Sequence, residues 1–431
     1  MCASMTYPVN LSLSEAARRI AAGRLTAEAL VSACLEKIQA LEPEIRAWAH
    51  VDAKAALLRA RQCDQQSARG GVHGIPFGAK DNIDSFDMPT EHGSIVYEGH
   101  RPAADASCVA LARERGAILL GKTTTSEFAH VTPGATANPR DPARIPGISS
   151  SGSAAAVAAY MVPVAIGTQT GGSIIRPASY CGVIGYKATY GDFSLSGVKE
   201  NTGSLDTLGF FVRDISDVAV FRAAMLGTQP TTCAEVSLAD LRIGFCRTPF
   251  WDQAEDSLRS QLETAVSHLS SGKARVRDIT LGEDAVQFVE ALRSISAFEF
   301  SRALAHERIH HGNRLSAALR SGRMHDGLNC SYEKYVEACG IAEKFRGDLD
   351  CMSADCDVLV TPACTGEAPV GPPAKESPVF NTIWTGSHRP AVSLPVFAGP
   401  SGLPMGLQVV GHRHQDEKLI ECAAAILRAL G

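Results

Sequence analysis

Apolar residues at the start of the chain recur every three or four positions, as they do between Leu30 and Leu41 just ahead of Pro43. This spacing is typical of amphipathic helices. Ser12 and Thr26 stand where N-caps are expected, because each is a short hydroxyl residue directly ahead of such a run. The pattern predicts a helical N-terminal layer over residues 1–65.

The pattern then changes. Through residues 70–220, short apolar runs alternate with clusters of Gly, Ser, Thr and Pro, and helical stretches lie between the runs. Turn-bounded apolar runs are typical of buried strands, and their alternation with helices predicts a sheet covered by helices. The predicted strands cover residues 75–79, 117–120, 162–166 and 183–186, and the predicted helices cover residues 106–115 and 153–160.

The rest of the chain returns to helical spacing. Residues 253–350 predict a charged helical insertion, and residues 355–431 predict the elements that complete the core. The individual elements are helices over residues 285–304 and 416–430 and strands over residues 358–361 and 391–394. Since neither a repeat nor a flexible linker divides the sequence, we predict one α/β domain over residues 1–431, with a mixed β-sheet core flanked by helices on both faces.

Composition excludes several functions. The 431 residues carry a net charge of -5 with 20% charged residues, which gives no basic face for nucleic acid or an anionic membrane. No apolar run approaches the roughly 20 residues that span a bilayer, and residues 1–17 lack the basic-then-apolar order of a secretory leader. The expected location is the cytoplasm, where the thirteen cysteines would remain thiols.

Residues 116–123 match the phosphate-loop pattern GxxxxGK[ST], with Lys122 near the end. A phosphate loop follows its strand and keeps backbone N–H groups free, whereas here residues 117–120 would themselves be the strand. No acidic strand end for magnesium stands out downstream. We therefore favour a strand followed by a lysine turn over a nucleotide site.

His306, Glu307 and His310 match the pattern HExxH, which on a helix sets two imidazoles on one face for zinc. No third ligand follows at a diagnostic spacing, and the adjacent His311 fits a solvated face. We therefore favour a solvent-facing helix and predict no metal site.

Two Gly/Ser-rich segments remain, at residues 146–153 and 167–177. Such segments are commonly plain turns. The second is more informative, because Ser173 follows a Thr-Gly-Gly sequence in which an unhindered backbone can turn several N–H groups toward one point. That arrangement can hold an oxyanion beside a serine nucleophile.

A serine nucleophile needs a base. The chain has no Gly-x-Ser-x-Gly elbow, so the local signature of a Ser/His triad is missing. Lys80 follows an apolar run, and burial would favour the neutral form of lysine, whose free pKa is about 10.4. A solvated surface cation is the alternative for any single lysine.

Together these segments resemble the amidase signature family. The matching elements run in the family's order over most of the chain, at residues 74–82, 121–123, 127–128, 138–139, 146–153, 167–177, 203–207, 357–362 and 390–395. The resemblance implies the fold and the hydrolytic chemistry of that family.

The resemblance also implies a Ser-Ser-Lys triad that uses no metal and no cofactor. Ser173 attacks the carbonyl carbon and becomes acylated, Ser149 bridges the proton path after a cis peptide bond, and Lys80 is the terminal base. Water then releases the acid. The oxyanion hole is implied in the N–H groups of Thr170, Gly171, Gly172 and Ser173.

Several positions depart from the family pattern. Ile148 and Ser151 each replace a glycine close to the bridging serine, so Ser150 is the neighbour to test in its place. Gln169 stands where many members have aspartate, and the sequence assigns it no role. Residues 387–389 replace a turn that commonly contains glycine, which predicts a reshaped pocket.

Four residues are candidate substrate contacts. Arg176 either clamps a substrate carboxylate, as a malonamidase-like relative would imply, or pairs with an internal acid and braces its loop. Phe128, Phe380 and Trp384 would suit a partly apolar acyl or amine group, although such residues are more often core.

Three functional hypotheses follow. The first is a stand-alone amidase for a small amide, or for a carbamate (urethane) or aryl amide cleaved by the same acyl-enzyme chemistry. It expects no nucleic-acid or membrane partner and leaves a homodimer open. The second is the amidase subunit of a larger complex, such as a tRNA-dependent amidotransferase. The third, a phosphate-loop nucleotide binder, predicts nucleotide-dependent thermal stabilisation.

Overall fold

One mixed β-sheet of eleven strands organises the molecule. The computed structural model describes residues 7–130, 132–230, 234–371 and 376–431, so the first six residues of the stretch considered for a leader lie outside it. The strands are β1 (Trp48–Val51), β2 (Pro76–Lys80), β3 (Ile118–Thr123), β4 (Val164–Gln169), β5 (Ile184–Lys187), β6 (Thr207–Val212), β7 (Arg242–Phe245), β8 (Arg275–Asp278), β9 (Val358–Pro362), β10 (Ala391–Ala398) and β11 (Pro404–Val410).

Helices flank this sheet and bury their apolar sides against it. They are α1 (Leu13–Ala21), α2 (Ala27–Ile45), α3 (Ala53–Asp64), α4 (Ser107–Glu114), α5 (Ser151–Ala158), α6 (Ile175–Cys181), α7 (Ser216–Leu226), α8 (Asp256–Ser271), α9 (Glu283–Ala303), α10 (Ala305–His311), α11 (Ala317–Ser321), α12 (Arg323–Leu328), α13 (Tyr332–Met352), α14 (Val379–Gly386) and α15 (Asp416–Leu430). Within the described ranges, no helix combines the length and the apolar character needed to cross a bilayer.

The sheet has the strand order β1-β3-β2-β4-β6-β5-β10-β11-β9-β7-β8. Strand β2 lies parallel to both β3 and β4. Along the sheet from β4 through β6, β5, β10 and β11 to β9, each strand pairs antiparallel with its neighbour. Because β2 and β4 are parallel neighbours, their carboxyl ends meet at one edge of the sheet. Lys80 ends β2 and Gln169 ends β4, so this edge collects the polar residues that follow both strands.

The predicted fold class is confirmed: the chain forms a single α/β domain with a large mixed sheet flanked by helices. The last helix has the predicted bounds, and α9 differs from its prediction by two residues at its start and one at its end. The predicted caps are present, since Ser12 Oγ accepts a hydrogen bond from Glu15 N at 3.2 Å and Thr26 Oγ1 accepts one from Ala29 N at 3.1 Å.

Both predicted helical segments also contribute strands. β1 lies within the N-terminal layer, and β8 lies within residues 253–350, where it pairs parallel with β7 at one end of the sheet. β8 has the sequence RVRD with three exposed residues, because an edge strand needs no apolar run. Helix α2 continues through Pro43 to Ile45 instead of ending before the proline.

Candidate active site

Lys80 lies at the polar edge of the sheet and is fully buried. Its Nζ donates to Ser149 Oγ at 2.8 Å and to Thr168 Oγ1 at 2.7 Å. Asn82 Nδ2 donates to the same Thr168 oxygen at 3.2 Å. The parallel pairing of β2 with β4 therefore positions the lysine between a hydroxyl on its neighbouring strand and the hydroxyl of the predicted bridging serine.

The environment of Lys80 favours the neutral amine. Burial lowers its pKa from 10.5 to about 7, and the negative charge of Asp206 opposes this shift. No carboxylate in the described part of the chain lies within ion-pair distance of Lys80 Nζ. The buried Lys122 differs, because its Nζ lies 3.7 Å from Asp81 Oδ1. A lysine with a pKa near neutrality can accept a proton, as a general base must.

The peptide bond between Ile148 and Ser149 is cis. Both backbone polar groups of Ile148 are held: its N–H donates to Glu376 Oε1 at 2.9 Å, and its carbonyl accepts from Arg176 Nη2 at 3.2 Å. The same Arg176 nitrogen lies 2.6 Å from Glu376 Oε1, and both side chains are buried. This ion pair therefore fixes the backbone that presents Ser149 to Lys80.

Ser150 has a different setting. Its Oγ donates to Thr168 O at 3.1 Å and accepts from Thr168 N at 3.3 Å, so its hydroxyl is fully engaged by the backbone of β4. Ser149 is thus the serine of this pair that contacts Lys80.

Ser173 lies in the turn between β4 and α6 and is partly exposed to a cavity. Within the described ranges, its hydroxyl has no hydrogen-bond partner, and neither do the backbone N–H groups of Thr170, Gly171 and Gly172. A Cβ on Gly172 would lie 2.4 Å from Asn381 Oδ1 and 2.6 Å from Arg176 Nη1, so only glycine fits here. The turn leaves a hydroxyl and several N–H donors available to a substrate.

Gln169 has a clear structural role. Its Oε1 accepts from Ile174 N at 2.8 Å and from Ile175 N at 3.0 Å, at the start of α6. Its Nε2 donates to Thr385 Oγ1 at 2.9 Å, and that hydroxyl donates to Gly171 O at 2.8 Å. The Gln169 amide accepts hydrogen bonds at the start of the helix and also donates one to Thr385, whereas an ionised aspartate could only accept.

Asp206 supports the other side of the turn. Its Oδ1 accepts from Thr170 Oγ1 at 2.5 Å, and its Oδ2 accepts from the backbone N–H groups of Asn201 and Thr202 at 2.7 and 2.9 Å. Burial nevertheless raises the pKa of this carboxyl to about 6. The turn that carries Ser173 is thus held by Gln169 on one side and Asp206 on the other.

A cavity of about 570 Å³ opens above the turn. Part of its lining is the turn itself and the Arg176–Glu376 pair, and another part comes from α9 and α12. The side chains that line it include Ile148, Thr170, Ser173, Arg176, Leu205, Phe250, Val289, Leu292, Arg293, Ser296, Arg323, Glu376, Val379 and Thr382.

Three of the four predicted substrate contacts lie in the core and not among the residues that line this cavity. Phe128 packs with Phe300 and Leu304, and Phe380 and Trp384 are fully buried on α14. Large apolar side chains such as these are more often part of a hydrophobic core than of a substrate site. Of the four, only Arg176 lines the cavity.

Residues 387–389 also lie apart from the cavity lining. Arg389 is buried and bonds Asp350 Oδ1 and Ser353 Oγ at 2.7 Å, while His388 stacks on Tyr190 with ring centroids 4.1 Å apart. These residues bind the chain to α13 and to the segment after β5, and they do not line the cavity directly.

The two rejected motifs have structural roles. Lys122 lies within β3, fully buried, and donates to Thr90 Oγ1 at 2.6 Å and to Ile83 O. In the HExxH segment, His306 and His310 are exposed, whereas Glu307 points inward and accepts from Tyr97 Oη at 2.5 Å and from Lys199 Nζ at 2.6 Å. Across the described ranges, no three His, Cys, Asp or Glu residues cluster as metal ligands would.

Sequence reasoning missed several residues of this site. Thr168 and Asn82 contact the lysine or its partner and lie close to predicted site residues, so the strand pairing could have identified them. Glu376 and Arg323 gave no such signal, because they lie 203 and 150 residues from Ser173, the nearest predicted catalytic residue. Contacts at that separation depend on the tertiary fold.

Comparison with known proteins agrees with this architecture. The family model described as Amidase matches residues 29–420. A glutamyl-tRNA(Gln) amidotransferase subunit from Acidothermus cellulolyticus is 32% identical, over 96% of this chain and 93% of its own. A crystal structure of an amidase superposes with a TM-score of 0.90 at 28% identity, covering 98% of this chain and 100% of that one.

A third protein, the peptide amidase of Stenotrophomonas maltophilia, superposes with a TM-score of 0.83 at 29% identity, covering 97% of this chain and 96% of its own. The family match extends over most of the chain and includes every residue of the site described above. The chain therefore belongs to the amidase signature family, whose members act on carbon–nitrogen bonds.

Proposed function

We propose that this chain is a serine hydrolase that cleaves small amides through an acyl-enzyme on Ser173, with Ser149 and Lys80 as its proton relay. The observation that carries the proposal is the 2.8 Å hydrogen bond between the buried, low-pKa Lys80 and the buried Ser149, whose neighbour Ile148 lines the same cavity as Ser173. Burying a lysine with only neutral partners lowers the stability of the fold. General-base chemistry is a functional reason to retain such a residue.

The proposed reaction has two stages, acylation of Ser173 and hydrolysis of the acyl-enzyme. The Ser173 hydroxyl, free of other partners, turns toward Ser149 and attacks the substrate carbonyl carbon while its proton passes through Ser149 to the neutral Lys80 amine. The negative oxygen that forms is held by the free N–H groups of the turn. The amine leaves with a proton from the same relay. Water then attacks the acyl-enzyme and releases the acid.

The test is turnover by the purified chain alone on aliphatic amides, anilides, dicarboxylic half-amides and carbamates. We expect Ser173→Ala to lower kcat by at least about 10⁴-fold and to abolish labelling by a fluorophosphonate, with an unchanged melting temperature. The matched control is Ser150→Ala, which removes a serine hydroxyl next to Ser149 that bonds the Thr168 backbone and not Lys80. Full activity in Ser173→Ala would falsify the assignment.

A second candidate function rests on the similarity to a glutamyl-tRNA(Gln) amidotransferase subunit. In that case the same acyl-enzyme chemistry would release ammonia for use by partner subunits. The two functions differ in one measurable respect: a stand-alone amidase hydrolyses simple amides without partners. Turnover of the panel above by the isolated chain supports the first function, and turnover only after addition of partner subunits supports the second. The carbamate and aryl-amide alternatives are decided by the same panel.

A further inference from the structure

The part of the cavity lining that comes from α9 and α12 carries positive charge. On α9, Val289, Leu292, Arg293 and Ser296 all line the cavity, because spacings of three and four residues place side chains on one helix face. Two apolar side chains and a hydroxyl on this face accompany one guanidinium. The helix therefore presents a cation within an otherwise mostly uncharged surface.

Arg293 has no counter-charge. It is exposed, and in the described part of the chain its side chain makes no hydrogen bond and no ion pair. The other arginine near the nucleophile differs, since Arg176 is paired with Glu376 at 2.6 Å. An arginine at the wall of a substrate cavity with all five N–H donors free is available to an incoming anion.

A second guanidinium strengthens the field. Arg323 uses three donors on neutral partners: Asn201 Oδ1 at 2.7 Å, Ser296 O at 3.2 Å, and Thr202 Oγ1. Its guanidinium carbon lies 4.5 Å from the Phe300 ring centroid, and among the described residues no carboxylate lies within ion-pair distance. Two of its five N–H donors remain unused.

Among the described residues, the cavity lining thus holds three guanidinium groups and one carboxylate, that of Glu376, which is paired with Arg176. His130 adds no positive charge, because burial lowers its pKa to about 4. The excess of positive charge in a space of about 570 Å³ favours a small anionic ligand. A carboxylate is the anion whose planar geometry a guanidinium fork matches with two hydrogen bonds.

We infer that the cavity selects amides bearing a carboxylate, and that Arg293 is the cation that binds this carboxylate. The inference rests on the proposed function for its reaction but adds the substrate class: half-amides of small dicarboxylic acids and related acidic amides. Arg323, on α12, adds positive charge to the cavity lining. Arg293, on α9, has a side chain free to move and contacts the carboxylate directly.

Hydrolysis provides the first test. Succinamic and glutaramic acids are compared with succinamide and glutaramide, which have the same shape without the charge. We expect kcat/KM to be at least about tenfold higher for the acids, mainly through KM, and we expect this ratio to fall toward one in Arg293→Ala. Arg293→Lys should restore part of the ratio, since it restores the charge without the fork.

The matched control is Arg320→Ala. Arg320 is also an exposed arginine of the segment between α9 and α13, has no partner among the described residues and does not line the cavity. This variant should keep the wild-type ratio of acid to diamide. An equal loss of the ratio in both variants would show a general effect of surface charge and would overturn the role of Arg293.

Binding to Ser173→Ala separates this inference from the proposed function. Titration calorimetry with succinamic acid should give at least about tenfold tighter binding than with succinamide, and a further Arg293→Glu change should abolish the difference. Equal affinity for the two compounds overturns the inference, whatever the activity of the wild type. Selective binding by Ser173→Ala without hydrolysis by the wild type would instead support the carboxylate site and overturn the proposed reaction.

Discussion

The side-chain oxygen of Gln169 lies 2.8 Å from the backbone nitrogen of Ile174, at the start of the helix that follows Ser173. We expect Gln169→Leu to leave two buried N–H groups unsatisfied and to lower the free energy of unfolding by about 1–3 kcal/mol. Because the same amide holds Gly171 through Thr385, kcat should fall as well. Thermal unfolding and steady-state kinetics check both effects.

Gln169→Glu is the informative control. It keeps an acceptor for the helix N-terminus but loses the N–H donor to Thr385, so stability should recover further than kcat. Thr385→Val removes the same loop contact from the other side and should lower kcat similarly. If Gln169→Leu retained wild-type kcat, the proposed hold on the turn would be wrong.

We expect Lys80 to set the pH dependence of the proposed reaction. Its pKa of about 7 means that the proton-accepting amine is lost as the pH falls below neutrality. For an amide without titratable groups, kcat/KM should therefore rise with pH, reach half its maximum near pH 7, and level off at higher pH. Lys80→Met should remove this dependence along with most of the activity. A half-maximum above pH 9 would contradict a neutral lysine base.

Ser149 and Ser150 should differ sharply when replaced by alanine. Ser149→Ala breaks the hydrogen bond to Lys80, and we expect kcat to fall by about 10²–10⁴-fold, the usual share of proton transfer. Ser150→Ala removes two contacts to the Thr168 backbone, and we expect a loss of about 1 kcal/mol in stability with kcat within tenfold of wild type. Similar kinetic losses in both variants would argue against Ser149 as the specific bridge.

The ion pair of Arg176 with Glu376 should act on the catalytic loop and not on substrate charge. Arg176→Ala leaves the buried Glu376 carboxylate unpaired and releases the carbonyl of Ile148, so we expect a stability loss of about 3–5 kcal/mol. Activity should fall by the same factor on half-amides and on diamides. A loss confined to half-amides would favour the carboxylate-clamp interpretation of Arg176.

Metal removal should not affect the enzyme. Incubation with a chelator followed by gel filtration should leave kcat unchanged, as should His306→Ala and His310→Ala, because both imidazoles are exposed and the glutamate between them bonds Tyr97 and Lys199. Glu307→Gln should instead lower the melting temperature. Loss of activity on chelation that zinc restores would contradict this expectation.

The fold class and the polar edge of the sheet could be predicted from the sequence, because apolar runs and Gly/Ser turns report local structure. Lys80, Ser149 and Ser173 each stand at the end of such a run or within such a turn. Strand β8 could not be predicted in the same way, because it is a charged edge strand without an apolar run.

The predicted substrate contacts show the limit of local reasoning more clearly. Phe380 and Trp384 follow the pattern of a helix, but the pattern does not say whether that helix faces the sheet or the cavity. Residues that do line the cavity, such as Arg293 and Arg323, come from helices far along the chain. Their approach depends on how α9 and α12 pack over the sheet, which no short window of sequence reports.

The division of the cavity into two walls has an evolutionary consequence. The proposed catalytic side chains of Lys80, Ser149 and Ser173 come from β2, the loop before α5 and the turn after β4, whereas another part of the cavity lining comes from α9 and α12, which contribute none of these three side chains. Mutations on the helical wall can therefore change which amides are accepted while the relay stays intact. A lineage with this fold can acquire new substrates by drift in one helix face, without passing through inactive ancestors.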